Sequence, residues 1–151
     1  MINLKKKKSN IVILPTAPTL MEMKKKIMKT KGIDIANSMY KIGESAGNDF
    51  GQFVKGIKSR ESKIKKIFEI LNSTGYGRYE LRKTSENSVI VKLTQSPFTK
   101  FCSRNKRPSC YWISGLLSGL FNNVSKGWLF EKNKCKLKDC PYCEFRGEIT
   151  K

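Results

Sequence analysis

The chain has 151 residues and a mass of 17.3 kDa, a size that suits one domain with a sizeable buried core. Hydrophobic residues make up 38% of it and charged residues 28%, a balance typical of soluble globular proteins and not of disordered ones. No apolar run approaches the roughly 20 residues that cross a bilayer, and the run at residues 11–14 is shorter than the core of a signal peptide. The composition therefore predicts a cytoplasmic protein.

The formal net charge of +19 is unusually large, and the lysines that produce it are spread along the whole chain. The densest run covers residues 5–8 and is followed by Pro15 and Pro18. Charged, proline-containing chain ends tend to stay outside the packed domain. We therefore interpret residues 1–18 as a basic N-terminal arm and residues 19–151 as a single domain.

The large positive charge suggests nucleic-acid binding as an alternative function. It would use the basic arm together with a basic loop that contains Arg104, Lys106 and Arg107. Two features count against it, because the charge is diffuse and the basic residues do not alternate with aromatic residues on which bases stack. A nucleic-acid partner is accordingly the less favoured interpretation.

Histidine is absent from the chain. This absence excludes catalysis by Ser-His-Asp or Cys-His arrangements and metal sites with imidazole ligands. No GxGxxG motif follows a predicted strand, so the sequence shows no means of holding a dinucleotide that carries a hydride. A non-catalytic protein is the expectation.

Apolar residues at helical spacing predict three main helices at about residues 35–57, 61–72 and 111–122, and a shorter one at residues 20–28. Glycines stand four residues apart in the first and third helices, at Gly43, Gly47, Gly51, Gly115 and Gly119. Each glycine weakens a helix by about 0.5 to 1 kcal/mol, so regularly spaced glycines indicate a purpose. Residues four apart lie on one face of a helix, and the missing side chains predict a groove on that face. Such a groove either receives another helix or leaves room for a ligand.

Short runs rich in strand-forming residues predict four strands, at residues 79–83, 88–94, 128–131 and 142–149. A polar turn at residues 84–87 joins the first two into a hairpin. Helices precede the strands and short turns pair the strands, so the expected fold class is α+β, with helices packed on an antiparallel sheet.

The cysteines give the clearest chemical signal. Three of the five lie close together at Cys135, Cys140 and Cys143, and the last two form a CxxC pair whose sulfurs can bind one tetrahedral ion. Neighbouring lysines favour the thiolate form that binds metal. Cys110 is the preferred fourth ligand because the dipole of the helix that it begins favours a thiolate, and Cys102 is the alternative. This pattern predicts one structural Zn²⁺ ion.

An iron–sulfur cluster, a redox-active CxxC pair and buried cysteines without metal are the other interpretations. A thioredoxin-like CxxC pair opens a helix, whereas the residues after Cys143 have the pattern of a strand. Disulfide bonds are not expected in a reducing cytoplasm. Zinc is therefore the favoured occupant.

An ordered set of residues runs through the chain. It comprises Gly43 and Gly47, Gly-Tyr-Gly at 75–77, Ser-Pro-Phe at 96–98, Cys-Tyr-Trp-Ile-Ser-Gly-Leu-Leu-Ser-Gly at 110–119, Glu131, Cys135 and Cys-Glu-Phe at 143–145. With this set the chain resembles the 4-vinyl reductase domain family over about residues 33–149.

The resemblance implies a ligand-binding fold shared with haem-nitric-oxide-binding-like domains and the core subunits of vesicle-tethering complexes. It further implies a homodimer, a small apolar ligand and a protein partner that responds to it. Cys110, Cys135 and Cys143 match the family's cysteines, and Cys140 is an addition that completes a four-thiolate site. The family's name implies one more alternative, a subunit of an enzyme that reduces a vinyl group.

The ligand is expected in an apolar pocket between the glycine-bearing helices and the sheet. Glycines leave space there, while Met and aromatic side chains offer adaptable apolar walls. The predicted wall residues are Met39, Phe50, Tyr111, Trp112 and Phe130. The sequence thus predicts a non-catalytic, zinc-containing domain that binds a small apolar molecule and acts as a sensor or scaffold.

Overall fold

The computed structural model describes residues 34–96, 108–134 and 142–150, together with Thr19 and Glu22. In the three ranges the chain forms α1 (Ile35–Gly51), α2 (Arg60–Ser73), β1 (Arg78–Thr84), β2 (Ser88–Thr94), α3 (Pro108–Phe121), β3 (Trp128–Lys134) and β4 (Cys143–Ile149). The predicted basic arm, and all but Glu22 of the helix predicted at residues 20–28, lie outside the described residues.

The first two helices begin at side-chain caps. Asp34 accepts a hydrogen bond from the backbone N–H of Asn37 at 3.1 Å, and Ser59 accepts one from Ser62 at 3.0 Å. These bonds satisfy donors that the first helical turn leaves without partners. Both helices therefore start within one residue of the positions that the periodicity predicted.

Helix α1 ends at Gly51, six residues before its predicted end. The chain continues in tight turns, in which Val54 N donates to Gly51 O at 2.9 Å. Val54 is nevertheless fully buried. Its burial continues the apolar pattern past the end of the helix, which explains why periodicity alone overestimated the helix length.

The strands form one sheet in the order β1-β2-β4-β3, with antiparallel pairing between all neighbours. One face is apolar and lies against the helices, with Val89, Val91 and Leu93 of β2 fully or almost fully buried. Strand β3 is three residues longer than predicted, because its polar end at residues 132–134 pairs with the start of β4. The α+β class with an antiparallel sheet is confirmed.

Helix α3 is the central element, packed between α1 and the sheet. Glycines bring the two helix backbones together from both sides. A Cβ atom on Gly47 of α1 would overlap the carbonyl oxygen of Leu116, and one on Gly115 of α3 would overlap the carbonyl oxygen of Tyr40. Of the two alternatives that the glycine spacing left open, the structure shows close helix packing, and the joint leaves no space for a ligand.

Ser118 links three elements from a fully buried position in α3. Its hydroxyl accepts hydrogen bonds from Tyr40 Oη of α1 at 2.5 Å and from the backbone N–H of Phe130 in β3 at 2.9 Å, and donates to Ser114 O at 2.9 Å. A buried hydroxyl that is fully used in this way fixes the register of its neighbours. Ser118 thereby fixes the position of α3 relative to β3.

We expect Gly47→Ala to lower the free energy of unfolding by about 1 to 3 kcal/mol, because the added methyl group forces two helix backbones apart. Gly56→Ala is the matched control, since no atom lies within 4 Å of a Cβ at that position. The control is expected to change stability by less than about 1 kcal/mol, in the stabilising direction. Urea denaturation of the three proteins measures the difference, and equal midpoints for the two variants would contradict the packing joint.

Candidate functional site

A groove of about 740 Å³ lies between α2 and the edge strand β1. Its volume falls within the range of small-molecule sites, about 300 to 1,000 Å³. The apolar part of its lining comes from Ile64 and Phe68 of α2 and from Tyr79 and Leu81 of β1. Polar side chains complete the lining, namely the charged Arg60, Glu61, Lys65, Glu69 and Glu80 and the uncharged Asn72 and Thr84. The groove is thus an apolar recess with a mixed polar rim.

Helix α2 is tied to the sheet at both ends. At its start, the Arg60 guanidinium donates to the carbonyl oxygens of Ser85 and Glu86 in the β1–β2 turn, at 2.6 and 3.3 Å. At its end, the Asn72 amide donates to Tyr79 O at 3.2 Å and accepts from Tyr79 N at 2.8 Å. Between these ties the helix spans the inner side of β1, and the groove lies along this span.

The turn from α2 into β1 contains Gly75 and Gly77, both with left-handed backbone angles (φ 78° and 124°). A Cβ atom on Gly77 would lie 2.8 Å from Thr94 O, so only glycine lets the chain approach β2 here. The Gly-Tyr-Gly step follows the end of α2 and does not open a helix. Its role is to place Tyr76, whose ring meets the Trp112 ring edge-on at 5.1 Å.

Tyr79 lies at the inner side of the groove and is 2% exposed. Within the described residues, no group accepts a hydrogen bond from its hydroxyl. Burial raises the pKa of Tyr79 far above its usual value, and nearby Tyr76 and Cys143 raise it further. Burial also raises the pKa of Tyr76 to about 12. Both hydroxyls are therefore protonated at neutral pH.

Cys143 lies at the first position of β4, in one row with Tyr79 and Leu93 across three neighbouring strands. Residues directly opposite one another in antiparallel strands face the same side of the sheet. Tyr79, Leu93 and Cys143 are all buried on the helix-facing side. At one end of the sheet, along the strand direction, β3 ends and β4 begins. We call this the cysteine end.

Cys110, also buried, lies in the first turn of α3. The Asn122 side chain accepts hydrogen bonds from Gly127 N and Trp128 N, so the end of α3 meets the start of β3. Cys110 lies eight residues before Ser118, about 12 Å along the helix. Lys134 lies four residues after Phe130, about 13 Å along the strand. Since Ser118 binds Phe130, these lengths bring Cys110 to the cysteine end.

Cys135 and Cys140, the other two predicted zinc ligands, lie outside the described residues, as does the alternative ligand Cys102. The segment at residues 135–141 connects the two strands that meet at the cysteine end. Among the described residues alone, no three Cys, Asp or Glu side chains form a group that would hold a metal ion. The four-thiolate set of Cys110, Cys135, Cys140 and Cys143 therefore stays a prediction.

The five predicted pocket residues do not line the groove. Met39, Phe50, Trp112 and Phe130 belong to the buried core, with exposed fractions of 9% or less. Tyr111 is 47% exposed and lies on the surface, because Trp112 takes the inward position on α3. The groove residues carried one weak signal in the sequence, the apolar Leu81 in an otherwise polar strand.

Most of the excess positive charge lies outside the described residues, including the basic arm and Arg104, Lys106 and Arg107. On the described part of the chain, basic side chains are interspersed with acidic ones, as in the pairs Lys66–Glu69 and Arg146–Glu148. No helix in this part is long and apolar enough to span a membrane.

The sequence matches no protein-family model and no curated protein. Solved structures do match. The phenol-responsive sensory domain of the transcription activator PoxR, with phenol, gives a TM-score of 0.74 at 15% identity over 91% of this chain and 76% of that one. Subunit 3 of a trafficking protein particle complex from Naegleria fowleri, covalently bound to palmitic acid, gives 0.70 at 13% identity over 89% and 92%. A vinyl-4-reductase family protein from Methanocaldococcus jannaschii gives 0.58 at 16% identity over 93% and 99%.

The chain shares the fold of these proteins. An H-NOX protein from S. oneidensis also matches, with a TM-score of 0.64 at 12% identity over 95% of this chain and 83% of that one. The fold relationships implied by the sequence resemblance are therefore confirmed. At these identities the likeness concerns the fold, and the choice of ligand depends on the residues of this chain.

Stability is expected to fall at alkaline pH because of the buried tyrosines. An unfolded tyrosine titrates near pH 10, whereas Tyr76 in the fold titrates near 12. Its contribution is complete below pH 10 and is lost as the pH rises from 10 to 12, by about 2 to 3 kcal/mol in total. Urea midpoints measured between pH 8 and pH 11.5 should show this decline, and Tyr76→Phe should make it shallower. An unchanged slope in the variant would refute the assignment.

Proposed function

We propose that the chain is a non-catalytic domain that binds a small apolar molecule in the groove between α2 and β1. The observation that carries this proposal is the apolar recess of about 740 Å³ at the sheet edge, with a polar rim and one buried hydroxyl beside it. Recesses lined by apolar side chains with few polar groups are the usual form of small-molecule sites. Two proteins of the same fold were solved with phenol and with palmitic acid, which supports an apolar ligand here.

The free energy for binding would come from burying apolar surface, about 25 cal/mol for each Å² removed from water. Phe68 of α2 and Leu81 of β1 both line the groove, and Leu81 is 39% exposed. A ligand between these two elements covers both side chains. It also fills the gap between the two ties of α2, so occupancy stabilises the position of that helix.

The proposal includes one zinc ion held by Cys110, Cys135, Cys140 and Cys143, with Cys102 as the alternative to Cys110. A bound zinc ion cross-links its ligands and contributes about 10 to 16 kcal/mol of apparent binding energy coupled to folding. In this chain the proposed ligands belong to the start of α3, to the β3–β4 connection and to the first position of β4. The site would thus hold the N-terminal turn of the central helix against the sheet.

The proposed role also includes a homodimer and a protein partner that responds to the ligand. The glycine faces of α1 and α3 pack against each other within one chain. A dimer would therefore use another surface.

The groove is tested by filling it. Leu81→Trp places an indole in the recess and is expected to weaken binding of apolar probes such as naphthalene at least about tenfold. Leu129→Trp is the matched control, because Leu129 is a similarly exposed strand residue, 46% against 39%, and does not line the groove. Isothermal titration calorimetry on the folded proteins measures both affinities. Equal weakening by the two variants, or none by Leu81→Trp, would place the ligand elsewhere.

The metal site is tested by elemental analysis of protein purified without added metal. We expect about one zinc ion per chain, and a loss of most of it in Cys143→Ser and in Cys110→Ser. Cys102→Ser is the matched control and is expected to retain the metal. If Cys102→Ser loses zinc and Cys110→Ser keeps it, Cys102 is the fourth ligand. Less than roughly a tenth of an equivalent in the unaltered protein would end the zinc proposal.

A further inference from the structure

The Tyr79 hydroxyl occupies an unfavourable position. The residue is 2% exposed, and no described group accepts its hydrogen bond. A buried donor without an acceptor has lost its hydrogen bonds to water and gained none in exchange. Such groups are uncommon in native folds and often occur where a ligand or an ordered water supplies the partner.

Four other polar side chains along the groove, those of Arg60, Glu69, Asn72 and Glu80, have partners within the protein. Asn72 is bonded to the backbone of Tyr79, and Arg60 to the carbonyls of Ser85 and Glu86. Glu80 forms ion pairs with Arg78 at 3.3 Å and with Lys92 at 4.0 Å, and Glu69 pairs with Lys66. Tyr79 differs from these lining residues, because its hydroxyl has no hydrogen-bond partner among the described residues.

Tyr79 is also next to the space that the ligand would occupy. It lines the groove from an edge strand, and α2 covers that strand between ties at its two ends. We take the Tyr79 side chain to turn toward the groove when a ligand binds, because its hydroxyl then gains a hydrogen bond that it lacks among the described residues.

The proton state of Tyr79 limits the partner. A tyrosine hydroxyl has an ordinary pKa of about 10, so it is protonated and donates at neutral pH. The matching ligand group is therefore an acceptor. An anionic acceptor would lose its hydration on entering the groove. It would also meet a rim with three acidic side chains and only two basic ones, namely Glu61, Glu69 and Glu80 against Arg60 and Lys65. A neutral oxygen avoids this cost.

Building on the proposed ligand site, we infer that Tyr79 determines specificity. It selects apolar molecules that carry one neutral hydrogen-bond acceptor, such as the oxygen of a ketone, aldehyde or ether, and its hydroxyl donates to that oxygen in the complex.

The test uses two probes of equal shape, 2-acetylnaphthalene and 2-isopropenylnaphthalene, in which a methylene group replaces the ketone oxygen. We expect the full-length protein to bind the ketone about tenfold more tightly than the hydrocarbon, the ratio that 1.4 kcal/mol corresponds to. Tyr79→Phe is expected to reduce this preference to about twofold or less, by weakening ketone binding and leaving hydrocarbon binding unchanged. Calorimetric titration gives the four dissociation constants.

Tyr76→Phe is the matched control. Tyr76 is an equally buried tyrosine, 3% exposed, whose side chain does not line the groove. This variant is expected to keep the full preference for the ketone. Tyr79→Phe is expected to fold, because it removes only a hydroxyl that lacks a partner, and its thermal midpoint verifies this.

Each outcome decides between the two proposals. Equal affinity of the unaltered protein for both probes overturns the specificity role of Tyr79 and leaves the groove as an apolar site. A ketone preference that survives Tyr79→Phe, or that disappears in Tyr76→Phe instead, also overturns it. If neither probe binds, and a panel of lipids and aromatic compounds does not bind either, the proposed function itself fails and the role of Tyr79 fails with it.

Discussion

The contact between the backbones of α1 and α3 is the constraint on which the rest of the fold depends. Gly43 and Gly47 on one helix and Gly115 and Gly119 on the other allow each backbone to reach the carbonyl oxygens of its partner. Close approach places the Tyr40 hydroxyl within reach of Ser118, which in turn binds β3. This contact thus sets the distance between α1 and α3 and, through Ser118, the position of α3 relative to β3. Its tightness leaves no room for a ligand between the two helices.

The groove follows from what that joint leaves uncovered. Among the described residues, α3 packs on β3, and α2 packs on the edge strand β1 at the opposite side of the sheet. Short ties at Arg60 and Asn72 fix the ends of α2, whereas its middle contacts the strand through a few apolar side chains. None of the groove's lining residues belongs to α1 or α3, so the proposed ligand would occupy the groove without entering the joint between these helices.

Sequence periodicity located the helices and strands well, because each element has one apolar face that burial requires. The groove could not be predicted in this way. It depends on the strand order, which leaves β1 at an edge, and strand order arises from pairing between distant residues such as Leu93 and Cys143. The glycine spacing was visible in each helix, but only the reciprocal contact between the helices distinguishes a packing joint from a cavity. For the same reason Met39 and Trp112 were predicted as pocket walls, and the structure places both in the core.

Tyr79 brings the two chemical features of the domain close together. Its side chain lies beside the groove, and the row Tyr79–Leu93–Cys143 carries across the sheet to the cysteine end, so two strand spacings, about 10 Å, separate its backbone from that of Cys143. The cysteine also acts on Tyr79 electrostatically, since it contributes to the raised pKa of that residue. Any rotation of Tyr79 toward the groove withdraws a polar hydroxyl from the vicinity of the Cys143 thiol. Because interiors are close-packed, the space that it leaves must be filled by its neighbours. Tyr79 lines the groove and lies in the same row of side chains as Leu93 and Cys143, so this row runs from the groove to the cysteine end.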